Sequence, residues 1–330
     1  MPLRSARFLF EMIVSGLLLS GLLLFTMPAL AQKFPDRPIR LIVPYPPGGS
    51  TDILARIVAP RMSATWGQPV VIDNRPGAAG NIGCDLAAKA APDGYTIVVT
   101  SMSQAISMSY YRKLPYDIVR DLQGISLFST QPNALIAAPG LPARSLQEMI
   151  ALARAKPGQL AYASAGNGSS QHLMGELLKS AAKIDLIHVP YKGTGIAIND
   201  LVGGQIALMF SPLISAIPQM KAGRARALAV TSPRRVPAVP DIPTMIESGV
   251  PNYDVVSWYG VHTAAKAPHA GVAALNREIN RILVLPEVHD SLSGLGMDPA
   301  PMTPEQFNAL VKSEVSRWAR VVRESGIKQE

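Results

Sequence analysis

Two short stretches rich in glycine and serine carry the residues best suited to binding a small anion. They run over residues 47–52 and 165–170. Each follows a short apolar run and precedes apolar residues at helical spacing, as where a parallel strand ends and a helix begins. Helix N-termini bind anions through free N–H groups, without Lys or Arg, and glycine lets the backbone approach a ligand closely. A molecule held between both stretches would therefore suit one or two carboxylates.

Two further polar junctions, over residues 100–103 and 191–194, also follow strand-like runs and could line the same cleft. Together the four junctions, with His172 just after the second Gly/Ser stretch, supply most of the predicted ligand-binding residues. These are Gly48, Gly49, Ser50, Thr51, Asp52, Ser101, Ser103, Ala165, Gly166, Asn167, Gly168, Ser169, His172, Lys192 and Gly193.

Each of these side chains also has a purely structural alternative. The serines and threonines could merely cap helices. Asp52 could complement its helix dipole or meet a cationic group on the ligand. His172 could face the cleft or only bond a neighbouring loop, and Lys192 could pair with a carboxylate or stay exposed. The presence of two Gly/Ser junctions, rather than one, favours binding over capping alone.

The sequence contains no strong catalytic or metal-binding pattern. Residues 166–171 begin like a dinucleotide-binding fingerprint but end in Gln171, and the Walker, GxSxG, HExxH and CxxC patterns are absent. The histidines are dispersed without metal-ligand spacing. A Ser169–His172 pair is conceivable as a hydrolytic dyad, yet no acid is evident to orient the base. We expect neither a cofactor nor a metal, and an exported α/β hydrolase remains the alternative.

Strand-like and helix-like segments alternate along the chain. Helix starts are marked by capping boxes at Ser145 and Thr303, and an apolar stripe over residues 307–322 is typical of a core-facing helix. This alternation predicts an α/β fold with a mostly parallel sheet and helices on its faces. The strand-like runs cover residues 40–43, 70–72, 95–100, 160–163, 186–189, 206–210 and 225–230.

Two such series in a chain of 330 residues suggest two lobes. The segments 129–133 and 255–259 are the candidate crossovers, and two crossings make the first lobe discontinuous. The first lobe is then predicted over residues 32–131 and 256–330, and the second over residues 132–255.

The first 31 residues have the pattern of a secretory signal peptide. Arg4 and Arg7 precede an apolar run over residues 12–27, and small residues at positions 29 and 31 predict cleavage after Ala31. An uncleaved membrane anchor is the alternative, but the run is shorter than the roughly 18–20 apolar residues a span needs. The sequence therefore predicts export to the periplasm.

Charge and cysteine content exclude other classes of protein. The net charge of +8 falls to +7 without the signal peptide, which carries two Arg and one Glu. The basic residues are scattered rather than clustered, so nucleic-acid binding is not expected. Cys84 is the only cysteine, so an intrachain disulfide is impossible. We expect Cys84 to be a buried small residue in a helix and the fold to rest on its core.

Several segments together resemble one known family, the Bug (TctC-like) substrate-binding proteins of tripartite tricarboxylate transporters. Each is modest alone, but their order and number are specific, and they span essentially the whole chain after the signal peptide. They lie at residues 34–40, 43–52, 73–81, 92–96, 188–193, 228–231, 241–244 and 257–260.

The resemblance implies a type II periplasmic-binding fold whose two lobes close on a ligand across an interlobe cleft, like a Venus flytrap. It implies that the loop at residues 45–52, including Tyr45, faces the loop at residues 163–172. The implied partners are a small carboxylate and two membrane subunits of the transporter. Some members of the family have no transporter and serve in sensing. We expect a monomer.

One departure from the family concerns Ser211, which we add to the predicted ligand-binding residues. Many relatives carry an Asp after the equivalent strand, where this chain has Ser211 and Pro212. An acid there could hold the ammonium group of an amino acid. Its absence favours a simple carboxylic acid as the ligand.

Overall fold

The computed structural model describes residues 34–324 and 327–330. The predicted signal peptide and its cleavage site lie outside the described residues. Contacts within the chain delimit one unit that runs from Arg37 to Glu330. Across the described ranges, no helix has both the length and the apolar character that a membrane crossing requires.

Strands and helices alternate along the described chain, as predicted. The strands are β1 (Ile39–Val43), β2 (Val70–Asn74), β3 (Thr96–Ser101), β4 (Leu122–Ala137), β5 (Ala161–Ser164), β6 (Ile187–Pro190), β7 (Leu208–Pro212), β8 (Arg226–Val230), β9 (Val256–Ala264) and β10 (Asp298–Pro299). The helices are α1 (Ser50–Trp66), α2 (Asn81–Ala88), α3 (Met102–Tyr110), α4 (Leu146–Ala155), α5 (Ser170–Ala182), α6 (Thr194–Val202), α7 (Leu213–Lys221), α8 (His269–Leu283), α9 (Pro286–Ser293) and α10 (Pro304–Glu324).

The strands form one sheet with the order β2-β1-β3-β9-β4-β7-β5-β6, and β8 and β10 pair with β4. Parallel pairing is confined to the two ends, β2-β1-β3 and β7-β5-β6. The centre is antiparallel, because β9 opposes both β3 and β4, and β4 opposes β7 and β8. The prediction of a mostly parallel sheet was therefore wrong for the centre. The central strand β4 has 16 residues and no helix directly after it, so the strand–helix alternation in the sequence did not indicate it.

β4 belongs to two half-sheets and changes partners in its middle. Residues 122–132 of β4 pair with β9, which with β1, β2, β3 and β10 makes the first half-sheet. Residues 133–137 pair with β7 and β8, which with β5 and β6 make the second. The chain passes back from the second half-sheet to the first at Val255, whose N–H donates to Thr231 O just before β9 begins. The lobe boundaries themselves remain a prediction, since both half-sheets belong to one unit.

Local signals in the sequence account for the helix ends and the core face. Thr303 and Gln306 cap each other reciprocally, as their capping box predicts. At the other predicted capping box, the Ser145 hydroxyl accepts from Glu148 N at 3.1 Å, but the Glu148 carboxylate accepts from Arg144 N instead of Ser145 N. The stripe on α10 is buried at Phe307, Val311, Trp318 and Val322. Cys84 lies buried in α2, and burial raises its thiol pKa to about 12. An inert core position follows, as expected.

Candidate functional site

A cleft with about 430 Å³ of empty volume lies where several strands give way to helices. It is bordered by the first turns of α1, α3, α5 and α6, by the residue before α7, and by β9. Its lining residues, all within the described part of the chain, carry no formal charge at neutral pH. They are Tyr45, Pro46, Gly49, Ser50, Thr51, Ser101, Ser103, Ala165, Ser170, Gln171, Thr194, Gly195, Pro212 and Tyr259.

The two glycine-capped helices at this cleft begin without a side-chain cap. Gly49 precedes α1 and Gly193 precedes α6, and neither helix start has a side-chain hydrogen bond at its N-cap. The first N–H groups of a helix have no partner within the helix and carry a partial positive charge. Thr51 and Thr194 lie in these first turns and line the cleft. Both starts are therefore suited to receive an anionic oxygen.

α3 and α5 face each other across the cleft with serine caps. Ser101 caps α3 by accepting from Ser103 N at 3.3 Å, and Ser169 caps α5 by accepting from His172 N at 3.3 Å. Ser170 N donates to Ser103 Oγ at 3.1 Å, which joins the start of α5 to the start of α3. Ser101 and Ser103 line the cleft, whereas Ser169 is fully buried beneath it.

Asp52 supports the first loop from inside. Its Oδ2 accepts from Gly48 N at 3.0 Å and from Arg56 Nε at 2.8 Å, and its Oδ1 accepts from Asn74 Nδ2 at 3.1 Å. Burial alone would raise the carboxyl pKa, but these hydrogen bonds and the Arg56 charge hold the pKa below its ordinary value. Neither Gly48 nor Asp52 lines the cleft. Both shape the loop that presents Gly49, and the helix-dipole alternative for Asp52 fits this position.

His172 also lies away from the cleft. Its Nδ1 accepts from Gly168 N at 3.2 Å, and its ring stacks on His188 with centroids 3.9 Å apart. Burial, reinforced by the Lys179 charge, lowers the pKa of His172 to about 4, so the ring is neutral at pH 7. His172 lines a separate pocket near Asn167. Of the two alternatives for His172, bonding within the neighbouring loop describes this geometry.

No serine–histidine pair borders the cleft among the described residues. Ser169 Oγ contacts the backbone nitrogen of His172, not its ring. A second pair does exist, because Ser164 Oγ lies 2.6 Å from His188 Nε2. Ser164 is fully buried and also bonded to Gly166, so a substrate cannot reach its hydroxyl.

A neighbouring space, the outer compartment, adjoins the cleft through Tyr45 and Ala165. Gly166, Asn167 and Lys192 line it, with Lys192 exposed. The Tyr45 hydroxyl donates to Ala79 O at 2.6 Å, which fixes the ring between the two spaces. Gly166, Asn167 and Lys192 were predicted to bind the ligand, and they line the outer compartment rather than the cleft itself.

Three further predicted ligand-binding residues, Gly168, Gly193 and Ser211, do not line the cleft but pack closely against its surroundings. Gly168 (φ +74°) packs so tightly that a Cβ would lie 2.8 Å from Tyr110 and 2.9 Å from Tyr111. A Cβ at Gly193 (φ +141°) would lie 3.0 Å from Pro46. Ser211 is fully buried, and its hydroxyl donates to Pro212 O at 3.2 Å.

Sequence reasoning missed several lining residues. Ser170 and Thr194 lie within predicted junctions, and Gln171 and Gly195 directly follow them, so the junction signal could have found all four. Pro46 and Pro212 also adjoin predicted residues. Tyr259 lies on β9 and had no local signal, because only pairing with β3 and β4 brings that strand to the cleft.

Residues 54–327 match the family described as the tripartite tricarboxylate transporter family receptor. This chain belongs to that family. It is 39% identical over 305 residues to protein BugT of Bordetella pertussis (strain Tohama I), covering 91% of this chain and 93% of BugT. It is also 39% identical over 313 residues to a UPF0065 protein in the tcbD-tcbE intergenic region of Pseudomonas sp. (strain P51), covering 94% and 93%.

Solved structures of similar proteins agree with the fold. The periplasmic binding protein BugD superposes with a TM-score of 0.87 at 33% identity, covering 90% of this chain and 100% of BugD. An R. palustris protein solved with adipate gives 0.87 at 34% identity, with the same coverage. MatC from Rhodopseudomonas palustris, with bound malate, gives 0.84 at 33% identity, covering 88% of this chain and 100% of MatC. The predicted two-lobed periplasmic-binding fold is confirmed.

Proposed function

We propose that this family member is a periplasmic solute-binding protein that captures a small carboxylate between its two lobes. The observation that carries the proposal is the uncharged cleft ringed by five helix starts. Backbone N–H groups and hydroxyls there can hold a carboxylate without a buried Lys or Arg. Similar proteins solved with adipate and malate support this ligand class.

Closure of the lobes is supported by contacts across the cleft. Ser170 N donates to Ser103 Oγ at 3.1 Å, and the Tyr111 hydroxyl donates to Asn167 O at 2.7 Å. Ser103 and Tyr111 follow β3 in the first half-sheet, whereas Asn167 and Ser170 follow β5 in the second. We propose lobes over residues 32–131 with 256–330 and over 132–255, which exchange strands where β4 changes partners.

Within carboxylates, the cleft favours simple acids over amino acids. Among the described residues that line it, none has a carboxylate side chain that could pair with an ammonium group. Asp52 follows the cleft residue Thr51, but its carboxylate oxygens already accept hydrogen bonds from Gly48, Arg56 and Asn74. Ser211 supports the same preference, because it stands where many relatives carry an Asp and has no charge to pair with an ammonium group.

Export and transport complete the proposal. The first 31 residues would direct secretion and be cleaved, leaving a monomer in the periplasm. The family supplies the expected partners, the membrane subunits of a tripartite tricarboxylate transporter. We propose no catalysis: Ser169 caps a helix, and Ser164 is buried, so neither serine can reach a substrate from the cleft.

A ligand screen tests this proposal. Thermal shift and calorimetry would compare succinate, malate, glutarate, adipate and citrate with aspartate and glutamate. A ligand at a hundredfold excess over its Kd should stabilise the fold by about 2.7 kcal/mol and be recovered unchanged. Binding of glutamate or aspartate far more tightly than glutarate or succinate would contradict the preference for simple acids, and turnover would contradict the non-catalytic role.

Ser103→Ala links that binding to the cleft. The change removes a cleft hydroxyl and the acceptor of Ser170 N. An unsatisfied buried donor costs about 1–3 kcal/mol, so we expect affinity to fall about tenfold. Ser313→Ala, at an exposed site on α10, is the matched control and should leave affinity unchanged. Equal affinities of both variants would place the site elsewhere.

A further inference from the structure

Three polar side chains on β4 lie buried beneath the cleft with unused hydrogen-bonding atoms. Ser129, Gln131 and Asn133 are fully buried, and their spacing puts them on one face of the strand. Among the described residues, Ser129 Oγ, Gln131 Nε2 and Asn133 Oδ1 have no partner. Most buried polar groups in proteins are paired, so three unpaired atoms on one strand face require an explanation.

Gln131 connects this strand to the cleft. The Ser50 hydroxyl, which lines the cleft, donates to Gln131 Oε1 at 3.2 Å. Tyr259 lines the same cleft as Ser50. Two residues further along β4, Asn133 Nδ2 donates to Ser257 Oγ at 2.8 Å. Gln131 therefore lies between the cleft and the point where the chain passes from one half-sheet to the other.

The Ser50 hydroxyl has a single proton, and in this structure Gln131 Oε1 receives it. A ligand carboxylate only accepts hydrogen bonds, so Ser50 cannot serve such a ligand while it donates to Gln131. A half-turn of the Gln131 amide exchanges Oε1 with Nε2. Nε2 would then donate to Ser50 Oγ, and the serine proton would be free for the ligand.

The same half-turn gives Nε2 the partner that it lacks in this structure, and a buried amide N–H without an acceptor is costly. The orientation that frees the Ser50 proton for an anion is therefore also the one that pairs the buried amide nitrogen.

We propose that Gln131 is a positioning residue for ligand capture: when a carboxylate is bound, its amide nitrogen donates to Ser50 Oγ and so leaves the serine proton for the ligand. The inference rests on the proposed carboxylate-binding function.

A double-mutant cycle tests the inference, with malate and adipate as calorimetric probes of the full-length secreted protein. Gln131→Met preserves length but removes both amide atoms, and Ser50→Ala removes the hydroxyl. We expect Ser50→Ala to weaken binding about tenfold and Gln131→Met about three- to tenfold. In the Ser50→Ala background, Gln131→Met should change affinity by less than about twofold, because Gln131 acts only through Ser50.

An equal effect of Gln131→Met in both backgrounds, or no effect in either, would overturn the inference while the proposed function stands. If the unmodified protein binds no carboxylate, both are overturned. Gln131→Glu provides a second comparison, since an ionised carboxylate can hold the Ser50 proton but cannot donate. We expect it to bind at least about fivefold more weakly than Gln131→Met. Binding as tight as that of the Met variant would contradict the need for a donor. Should the Glu variant not fold, the cycle with Met decides alone.

Discussion

Gly168 is the position where one added methyl group should best separate ligand binding from folding. Its backbone has φ +74°, a region that L-residues adopt at a cost, and a Cβ would lie 2.8 Å from Tyr110 and 2.9 Å from Tyr111. Gly168 belongs to the loop after β5, whereas both tyrosines end α3 and follow β3. The backbone cost applies whenever the protein is folded, whether the two loops are apart or together. The steric cost applies only when the two loops meet.

The two costs have different sizes and different readouts. A left-handed alanine costs roughly 1–2 kcal/mol of folding free energy. Overpacking costs about 1–3 kcal/mol, and neither ring can yield easily, because Tyr110 is buried and the Tyr111 hydroxyl is bonded to Asn167 O. If Gly168→Ala opposes closure by about 1–2 kcal/mol, ligand affinity should fall about five- to thirtyfold.

Gly204→Ala is the matched control, since Gly204 has the same φ of +74° and nothing within 4 Å of a Cβ. Without ligand, both variants should unfold at a lower temperature than the unmodified protein. Calorimetry with the tightest ligand of the screen should show weakened binding only for Gly168→Ala. The reasoning would be refuted if the two variants bound with equal affinity, because closure would then not bring Gly168 against the tyrosines.

Two further predictions concern acid stability. The bonds to Asp52 keep its folded pKa below the ordinary value of 3.8 despite burial, so they stabilise the fold above that pH and are lost as pH falls through the folded pKa. Asp52→Asn should therefore flatten the acid end of a stability–pH curve measured by urea unfolding, and an unchanged curve would argue against these bonds. Burial lowers the pKa of His172 from 6.5 to about 4, so below pH 6.5 protons bind the unfolded chain first and stability declines towards pH 4. His172→Gln, which retains an acceptor for Gly168 N, should make that decline shallower by at most about 3 kcal/mol; an equally steep decline would show that His172 titrates normally.

The part of the site that sequence reasoning predicted depends on local signals. A strand that ends in Gly, Ser or Thr before helical spacing identifies a junction without knowledge of the rest of the chain. Those signals identified Gly49, Ser50, Ser101, Ser103 and Ala165, which line one cleft in the structure. They also placed the capping boxes and the buried stripe of α10.

The rest depends on contacts between distant segments. β4 and β9 pair across more than a hundred residues, so no local pattern reveals that Tyr259 reaches the cleft or that Gln131 lies under Ser50. Direction within a loop is equally non-local. Asp52 turns inward because Asn74 on β2 donates to it, and His172 turns away from the cleft because its ring stacks on His188.

The uncharged cleft suits a protein that must both hold and release an anion. A buried Arg or Lys would bind a carboxylate strongly, but it would be left as an unpaired charge when the cleft empties, at a cost of several kcal/mol. Helix starts avoid this cost, because the fold fixes their dipoles whether or not a ligand is present. At the Gly-capped helix starts of α1 and α6, no side chain caps the N–H groups, so none must rearrange when a ligand binds. Ser50 is the exception among the donors, because its proton is received by Gln131 and is free for a ligand only when the Gln131 amide donates instead.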